Sequence, residues 1–278
     1  MTENKITIVI TSYKSDKKIL SCLESIDRQY KVIIIENSKD QSFKDKIEKQ
    51  FANVECVVAG ENLGYAKGNN LGLSKVKTKH ALILNPDAIL QKKTIENFFI
   101  AANKIKTFAI IAPAIQESNA ESKIKSLTEV ESVKGFAMFM NLEEFKSIGF
   151  FDKNFFIYME EIDLCKRLVN KNKRIFLDPE IIVKHQGGSS HDEEYNLEME
   201  LSRNWHWMWS SFYFSKKYNG YIFALLSFSK KLISSLFKSF FYFITMNKEK
   251  RMIYFFRLSG LFNSIIGKTS WYRPFNNN

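Results

Sequence analysis

Cysteine is scarce in this sequence, whose 278 residues contain Cys22, Cys56 and Cys165 and no other. The three are odd in number and far apart, so they match neither a disulfide framework nor a set of metal ligands, and a reducing compartment is indicated. The first residues, MTENKITIVITSY, contain no basic stretch followed by a long apolar one. They predict a short lead into a strand and not a signal peptide.

Acidic residues are almost absent from the end of the chain. Residues 201–278 contain twelve lysines and arginines but one acid, Glu249, whereas residues 1–200 contain 29 basic and 29 acidic side chains. The whole net charge of +11 therefore comes from the last 78 residues. This asymmetry predicts a large domain at 1–200 and a second region at 201–278 that has a different partner.

Long uninterrupted apolar runs are missing as well. The second region has a helical, aromatic pattern, and its most apolar stretch, residues 221–246, is interrupted by Lys230, Lys231 and Lys238. Central lysines disfavour a spanning helix, so we expect an amphipathic helix that lies in the plane of a membrane surface. The alternative is a helical subdomain that packs its aromatic side chains on the core or on a second subunit.

The first 115 residues alternate between short β-branched apolar runs and amphipathic segments. This rhythm predicts an α/β fold with a mostly parallel, doubly wound sheet flanked by helices, whose ligands bind at the carboxyl ends of the strands. Strands are predicted at 6–11, 31–36, 54–59, 80–85, 108–113, 133–140, 174–179 and 181–185. A loop is predicted at 116–132. Helices are predicted after a cap at Ser15 or Asp16 (with a stripe of Ile19, Leu20, Leu23 and Ile26), near 43–51, 65–76 and 91–105, and from about Met159.

Polar residues follow several of these strands, and Asp87 and His185 are candidate metal ligands among them. A carboxylate at a strand end, behind a proline that stiffens the turn, can hold Mg²⁺ or Mn²⁺ while phosphate oxygens supply other ligands. From spacing alone, an Asx turn at Asp87 is an equal alternative. A neutral imidazole at His185 can complete such a site, although a lone histidine is more often structural.

The segment ENLGYAKGNNLGL, residues 61–73, opens a helix with three glycines and three asparagines. Glycines permit a close approach of the backbone, and a helix N-terminus attracts phosphate. The segment is not a P-loop, because no Gly-Lys-Ser/Thr follows, and it lacks the GxGxxG of a dinucleotide site. Taken by itself it is more often an ordinary glycine-punctuated helix start.

Three carboxylates stand together in FFIYMEEIDLCKR, residues 155–167. Glu161 shares a helical face with Cys165 and Leu168, which places this carboxylate on the apolar stripe, where burial without a partner is unfavourable. Asp163 instead lines up with Arg167 at i+4 and is predicted to form a plain surface pair. The position of Glu161 therefore needs a functional explanation.

Six stretches occur in a characteristic order: TSY with IIENS, ENLGYAKGNN, LNPD, GFAMFM, GFFDKNFFIYMEEIDLCKR and HQGGSS. In sequence and spacing they resemble the inverting family-2 glycosyltransferases of the GT-A fold, most closely the rhamnosyltransferase-like branch. The resemblance covers roughly residues 5–215. It implies a GT-A sheet domain at 1–200 and a single-displacement sugar transfer that needs no covalent enzyme intermediate.

The resemblance also implies roles for individual residues. Those expected to bind the nucleotide-sugar are Thr11, Ser12, Tyr13, Glu36, Asn37, Asn62, Gly64, Lys67, Gly68, Asn69, Asn70 and Asn85. Glu36 stands where the family usually has Asp, and Asn85 replaces the first Asp of the family's DxD motif. Asp87 is then the main carboxylate ligand of Mg²⁺ or Mn²⁺, and His185 completes the metal shell. The sugar and acceptor pocket is expected at Gly135, Phe136 and Ala137.

The general base of the family corresponds to Glu161, with Glu160 as the alternative. The family usually has Asp at this position, so the longer side chain must be absorbed by about an ångström of readjustment. Asp163, paired with Arg167, is expected to be structural. A catalytically lapsed glycosyltransferase that acts as a scaffold is the alternative that this substitution leaves open.

The partners implied are a dTDP- or UDP-linked sugar, a lipid-linked or glycan acceptor, and an anionic membrane surface on the inner face of the cell membrane; a homodimer is an open alternative. A nucleic-acid binder is a further alternative, suggested by the basic aromatic C-terminal region, but that region contains no recognisable nucleic-acid module. A glycosidase is conceivable from the carboxylates alone, but the nucleotide-type motifs argue against it.

Overall fold

The computed structural model describes residues 6–114, 124–185 and 190–275. The chain folds as two compact units. The first, called here the sheet unit, comprises Met1–Phe151 and Glu161–Glu193, and the second, called the helical unit, comprises Asp152–Glu160 and Glu194–Asn278.

The strands of the sheet unit are β1 (Ile6–Ser12), β2 (Lys31–Glu36), β3 (Val54–Val58), β4 (His80–Leu84), β5 (Ala88–Leu90), β6 (Ile110–Pro113), β7 (Thr128–Glu129), β8 (Ala137–Asn141), β9 (Ile175–Asp178) and β10 (Val183–His185). Eight of them form one sheet in the order β3-β2-β1-β4-β8-β6-β9-β7. β1 to β4 run parallel, and β8 lies antiparallel between β4 and β6. The predicted mostly parallel α/β sheet is confirmed.

Both faces of the central strands are buried, as their continuous apolar runs require. In β1 the side chains of Ile8, Val9 and Ile10 are inaccessible to solvent, and β2 is buried from Val32 onward. A strand of this kind is covered by helices on either side. The helices of the sheet unit are α1 (Lys18–Glu24), α2 (Gln41–Gln50), α3 (Gly64–Ser74), α4 (Thr94–Ile105) and, apart from its first residue, α5 (Glu160–Val169).

The predicted start of α1 is wrong in its details. Neither Ser15 nor Asp16 caps the helix with its side chain; the residue before α1 is Lys17, which also makes no side-chain cap. The backbone carbonyl of Ser15 accepts a hydrogen bond from the Ile19 amide at 2.9 Å instead. The buried stripe consists of Ile19, Cys22, Leu23 and Ile26, whereas Leu20 is partly exposed.

Two short strands were not predicted. β7 pairs antiparallel with β9 and falls inside the predicted loop at 116–132, so the loop prediction is wrong there, and residues 115–123 lie outside the described residues. β5 pairs antiparallel with β10 in a separate two-stranded sheet, with Ala88 opposite His185. Elements of two or three residues are too short to show a periodic pattern in the sequence.

The helical unit contains α6 (Asn196–Asn219), α7 (Tyr221–Ile244) and α8 (Lys248–Ile265). Trp205 and Trp209 share one face of α6 and are buried. The Trp205 indole donates to the Ser259 hydroxyl at 3.1 Å, and the Ser264 hydroxyl donates to the Trp209 carbonyl at 3.0 Å. α6 and α8 approach closely at Gly260, where a Cβ atom would lie 2.1 Å from the Trp205 carbonyl oxygen.

Among the described residues, no helix combines the length and the apolar character that crossing a bilayer requires.

Candidate active site

The carboxyl ends of β1 and β2 bring Ser12, Glu36 and Asn37 together. Ser12 pairs with Glu36 in the parallel register, and the Asn37 amide donates to the Ser12 carbonyl at 2.8 Å. All three side chains are buried, with 3% of Glu36 exposed. Thr11 and Tyr13, on either side of Ser12, are partly buried. The predicted nucleotide residues of the first two strands therefore form one cluster.

Glu36 is the electrostatically unusual member of this cluster. Burial, together with the neighbouring charges of Asp16 and Asp40, raises the pKa of its carboxyl to about 7 against the opposing effect of hydrogen bonds from Ser38 and Ser12. Its Oε2 atom is buried and accepts no hydrogen bond from the described residues. A buried carboxylate with an unused acceptor is suited to hydroxyl or amide donors of a ligand.

The glycine-rich segment forms the start of α3 beside this cluster. Asn62 Oδ1 accepts from the Gly64 amide, and the Asn37 side-chain amide donates to the Gly64 carbonyl, both at 3.1 Å. Gly68 is required for packing, because a Cβ atom there would lie 2.6 Å from Thr11 Cγ2. Lys67, between them, is exposed. The segment therefore follows β3 in the chain, is tied by Asn37 to the end of β2, and begins a helix that lies close to β1.

Asn69 and Asn70 use their amides within the fold. Asn69 is fully buried and donates to the Tyr65 carbonyl at 3.0 Å. Asn70 accepts from the Phe151 amide at 3.0 Å and donates to the Phe151 carbonyl at 2.8 Å. These contacts explain the asparagines structurally, and the nucleotide-binding role expected of them stays a prediction.

Asn85, Asp87 and His185 meet at the end of β4. His185 Nε2 lies 3.3 Å from Asp87 Oδ1 and 3.3 Å from Asn85 Nδ2, and the Ser190 hydroxyl donates to Asp87 Oδ1 at 2.9 Å. The pairing of β5 with β10 produces this meeting, because it sets His185 opposite Ala88. Residues 186–189, which complete the HQGGSS stretch, lie outside the described residues.

The donor atoms at this place fit a divalent cation. Burial alone would raise the pKa of the Asp87 carboxyl, but hydrogen bonds from His185 and Ser190 and the charge of His185 have the larger effect, so the pKa is lowered. Asp87 is therefore ionised at neutral pH. Asp87 Oδ2 and Asn85 Oδ1 are buried and accept no hydrogen bond from the described residues. Carboxylate, amide oxygen and imidazole suit Mg²⁺ or Mn²⁺.

No group of three or more His, Cys, Asp or Glu side chains that could hold a metal ion occurs in the part of the chain that the structure describes. Asp87 and His185 would therefore supply two protein ligands. A phosphate-bearing ligand would have to supply further oxygens, as is common for Mg²⁺.

The short segment before β8 connects this place to the carboxylates of α5. A Cβ atom on Gly135 would lie 3.2 Å from the Tyr65 hydroxyl and 3.5 Å from Glu161 Cβ, so Gly135 lies directly against the candidate base. The next residue, Phe136, stacks on the His185 ring with centroids 4.6 Å apart. Ala137 is fully buried in β8. Consecutive residues thus contact the candidate base and the candidate metal site.

The side chain of Glu161 is partly exposed overall, but its Oε2 atom is buried and accepts no hydrogen bond from the described residues. Burial raises the pKa of this carboxyl, and hydrogen bonds from the backbone amides of Glu161 and Ile162 oppose the rise. Cys165 and Leu168 are fully buried on the same helical face, as predicted. Glu160, the first residue of α5, is 4% exposed.

The prediction that Asp163 and Arg167 form a surface pair is wrong in its exposure. Arg167 Nε lies 2.8 Å from Asp163 Oδ2, which confirms the pair, but the Asp163 side chain is fully buried. The guanidinium also donates to the carbonyls of Ile148 and Phe150. A guanidinium can saturate a buried carboxylate and two carbonyls at once, and this fixes α5 to the turn before it.

Sequence reasoning missed Tyr65 and Ser190. The Tyr65 hydroxyl donates to the Gly135 carbonyl and so holds the expected sugar pocket. Ser190 contacts the candidate metal ligand Asp87. Both lie inside stretches that were recognised, ENLGYAKGNN and HQGGSS, but a hydroxyl carries no sequence signal that separates a ligand-orienting contact from a surface one.

Comparison with known proteins matches residues 7–165 to the family model described as Glycosyl transferase family 2. The chain is 24% identical over 197 residues to the low-salt glycan biosynthesis hexosyltransferase Agl10 of Haloferax volcanii, covering 61% of this chain and 63% of that protein. It is 25% identical over 220 residues to the rhamnosyltransferase WbbL of Escherichia coli K12, covering 65% of this chain and 83% of that protein. The chain thus spans less than two thirds of the first of these relatives.

Among solved structures, the fold is similar to that of the mannosyltransferase PcManGT from Pyrobaculum calidifontis, determined in complex with GDP-Man and Mn²⁺. The TM-score is 0.60 at 11% identity, over 94% of this chain and 87% of that one. Likeness at this identity shows the fold alone.

Proposed function

Because the chain belongs to glycosyl transferase family 2, in its rhamnosyltransferase-like branch, and is therefore a glycosyltransferase, we propose a specific reaction for it. The sugar, with rhamnose as the first candidate, moves from a dTDP- or UDP-linked donor to a hydroxyl group of a lipid-linked or polysaccharide acceptor in cell-surface glycan synthesis. The transfer inverts the configuration at the anomeric carbon.

The observation that supports this proposal is that two consecutive residues, Gly135 and Phe136, contact the candidate base and the candidate metal site. Gly135 lies against Glu161, and Phe136 stacks on His185, which in turn contacts Asp87. Neighbouring Cα atoms are about 3.8 Å apart. The candidate base and the candidate diphosphate-binding group are thus each in contact with one of two neighbouring residues, and this proximity supports a sugar ring that binds between acceptor and leaving group.

Asp87 and His185, with Asn85 beside them, would hold Mg²⁺ or Mn²⁺, which when bound would neutralise the charge of the diphosphate leaving group. Asp87 contributes by being ionised at neutral pH, and Ser190 holds the carboxylate in place. Phe136, stacked on the imidazole, fixes the plane of His185. The ligand atoms are therefore positioned before any substrate arrives.

Glu161 acts as the general base. Its raised pKa makes the carboxylate a stronger proton acceptor than an ordinary exposed glutamate. In one step the acceptor oxygen bonds to the anomeric carbon, the bond from that carbon to the diphosphate oxygen breaks, and the hydroxyl proton passes to Glu161. Attack from the face opposite the leaving group gives the inverted product.

Glu36 and Asn37, with Thr11 and Ser12 beside them, bind the nucleoside. The unused Oε2 of Glu36 is the acceptor that ribose hydroxyl or base amide donors require. The side-chain amide of Asn37 also donates to the Gly64 carbonyl and so ties the nucleoside site to the start of α3.

The first experiment is a thermal-shift panel of nucleotide sugars with Mn²⁺ or Mg²⁺ on the full chain. A dTDP- or UDP-sugar that raises Tm in the presence of metal, and loses this effect with EDTA, is expected. Release of nucleoside diphosphate from that donor then measures turnover. If no nucleotide sugar raises Tm with either metal, the proposed donor class is wrong; binding without any turnover favours the lapsed scaffold instead.

The helical unit is proposed to bind an anionic membrane surface and so to bring a lipid-linked acceptor to the enzyme. Along α7, one apolar stripe has more than half of each side chain exposed: Ile222, Leu226, Ile233, Phe237, Phe240 and Ile244. These positions lie within about 60° around the helix axis. The opposite face, at Ala224, Phe228 and Ser235, is buried.

An exposed stripe of this length marks an interaction surface. Its surroundings are cationic, because residues 201–278 contain twelve basic side chains and one acid. A lipid surface with anionic headgroups complements both features, since apolar side chains enter the interface while lysines remain at the headgroups. The inner face of the cell membrane offers such a surface.

Flotation of the full-length protein with vesicles tests this surface. Phe237→Gln with Phe240→Gln is expected to release the protein from vesicles containing anionic lipid, whereas Ile100→Gln with Ile182→Gln, two exposed apolar residues of the sheet unit, leaves flotation unchanged. A truncation is unsuitable, because removing α8 would strip Trp205 and Trp209 of their partners. Equal flotation of both double variants, or no flotation of the unaltered protein, contradicts the membrane proposal.

A further inference from the structure

Tyr158 and Met159 have an unusual backbone conformation directly before the acidic pair. Their φ angles are 72° and 68°, in the left-handed region that non-glycine residues rarely enter. Two such residues in succession persist only where the surrounding structure holds them, and they are frequent at functional sites. α5 begins at the next residue, Glu160.

The support comes from one face of α6. Residues 152–158, called here the lead-in segment, contact α6 at His206, Ser210, Tyr213 and Lys217, which recur at helical spacing on a single face. The Ser210 hydroxyl donates to the Ile157 carbonyl at 2.9 Å, and Lys217 Nζ lies 2.7 Å from Asp152 Oδ2.

Aromatic contacts add to these polar ones. Phe156 stacks on His206 with ring centroids 4.4 Å apart, and Tyr158 meets Trp207 edge to face at 5.3 Å. Tyr213 packs edge to face on Phe155 at 5.0 Å. Most residues of the lead-in segment thus make a hydrogen bond, an ion pair or a ring contact with α6.

The far side of this contact is braced by the end of the chain. His206 is fully buried, with one ring nitrogen 3.0 Å from the Tyr272 carbonyl and the other 3.1 Å from the Ser270 hydroxyl. The Arg273 guanidinium lies over Phe156, 4.1 Å from the ring centre. Phe156 is therefore held between an imidazole and a guanidinium, and the lead-in segment has little freedom to move.

We propose that α6 is a positioning element for the catalytic carboxylates: by holding the lead-in segment it keeps Tyr158 and Met159 in the left-handed region, the backbone conformation from which the chain enters Glu160 and Glu161. Ser210 is the central positioning residue, since it binds the carbonyl next to the strained pair. This proposal rests on the proposed role of Glu161. The division of the chain agrees with it, because the lead-in segment and Glu160 fold with the helical unit.

Ser210→Ala tests the proposal, and Ser264→Ala is a matched control. Both serines are buried and donate to a backbone carbonyl, at 2.9 and 3.0 Å, but Ser264 binds Trp209 and not the lead-in segment. We expect similar small decreases in Tm for both variants. Turnover of the donor identified by the thermal-shift panel is expected to fall about tenfold in kcat for Ser210→Ala alone, with KM within about twofold, because misplacement affects the chemical step.

A readout without activity separates this proposal from the proposed function. Backbone amides of residues 157–161 are expected to exchange hydrogen about tenfold faster in Ser210→Ala and at the unaltered rate in Ser264→Ala. If the unaltered protein shows no glycosyl transfer, the proposed function fails while the exchange result still stands. Equal exchange and equal kcat in the two variants overturn the positioning role.

Two further variants test the side-chain contacts and the backbone strain separately. Tyr213→Phe keeps the ring on Phe155 but removes the hydroxyl that contacts Asp152 at 3.2 Å. It should lower kcat and speed amide exchange of residues 157–161, both by less than Ser210→Ala does. Adding Met159→Gly to Ser210→Ala should restore kcat to within about threefold, because glycine adopts a positive φ without strain. No recovery would overturn the part assigned to backbone strain.

Discussion

Replacement of Glu36 by glutamine is expected to stabilise the sheet unit at alkaline pH while it weakens nucleotide binding. The carboxyl is buried, and its pKa is raised to about 7 from the ordinary 4.5. The folded state therefore holds the proton more tightly than the unfolded chain. The stability that this contributes is fully present below pH 4.5 and is lost as the pH rises to about 7.

The size of the effect follows from the shift. Each pKa unit corresponds to about 1.4 kcal/mol, so ionisation of Glu36 in the folded protein costs about 3 kcal/mol above pH 7. Glutamine carries no charge and avoids this cost, but it loses part of the hydrogen bonding to Ser12 and Ser38. We expect the free energy of unfolding of Glu36→Gln to exceed that of the unaltered protein by about 2 kcal/mol at about pH 8 and to fall about 1 kcal/mol below it at about pH 4.5, where only the loss of hydrogen bonding remains.

The chain provides a probe for each unit. Cys22, Cys56 and Cys165 are buried in the sheet unit, so their reaction with a thiol reagent in urea follows the unfolding of that unit. All four tryptophans lie between residues 205 and 271 and report on the helical unit by fluorescence. Separate probes are needed because a chain of two units need not unfold in one step.

Glu55→Gln is the control for charge removal, because Glu55 lies on the neighbouring strand β3, is half-exposed and pairs with Lys31 at 2.7 Å. It should bring no gain at alkaline pH. A Glu36→Gln gain that is independent of pH, or a loss at alkaline pH, would refute the electrostatic reasoning. Weaker binding of the nucleotide sugar by the stabilised Glu36→Gln variant would show that the Glu36 charge, although it destabilises the fold, is kept because it binds the ligand.

Three further outcomes follow from the site. Glu161→Gln should lower kcat by about a hundredfold or more while donor binding is retained, and near-normal turnover in the variant would remove the base assignment. The rate of the unaltered enzyme should fall as the pH is lowered, because acid protonates the Glu161 carboxyl, whose pKa is raised by burial. Gly135→Ala places a methyl group 3.2 Å from the Tyr65 hydroxyl and should reduce kcat more than stability, measured by turnover and Tm together. Arg167→Met removes the ion pair of the buried Asp163 and should destabilise the sheet unit by about 3 kcal/mol. Urea unfolding followed by cysteine reactivity measures this loss, and an unchanged unfolding midpoint would contradict the prediction.

Much of the sheet could be predicted because its strands are long, apolar and buried on both faces. The predicted range of β2 is the observed one, and β1, β3 and β4 differ from the predictions by one residue. The position of Glu161 on an apolar helical face could likewise be predicted from 3.6-residue periodicity. These features depend on local pattern, which a single sequence displays.

What could not be predicted depends on contacts between distant parts of the chain. His185 reaches Asp87 because β5 and β10 pair, and strands of three residues leave no periodic signal. Asp163 has the i+4 spacing of an exposed ion pair, yet Arg167 also binds the carbonyls of Ile148 and Phe150 and so draws the pair into the core. Periodicity reports which face a residue occupies and not what packs on that face.

The lead-in segment shows how the same limit affects the candidate site. Together with Met159 it reads DKNFFIYM, with no glycine at the two positions that adopt positive φ, so local preference opposes the observed backbone. The conformation is held by α6, more than forty residues further along the chain. A local preference is overruled in this way directly before the proposed catalytic carboxylates. The positioning role proposed for α6 therefore predicts that a substitution in α6 affects kcat as well as stability.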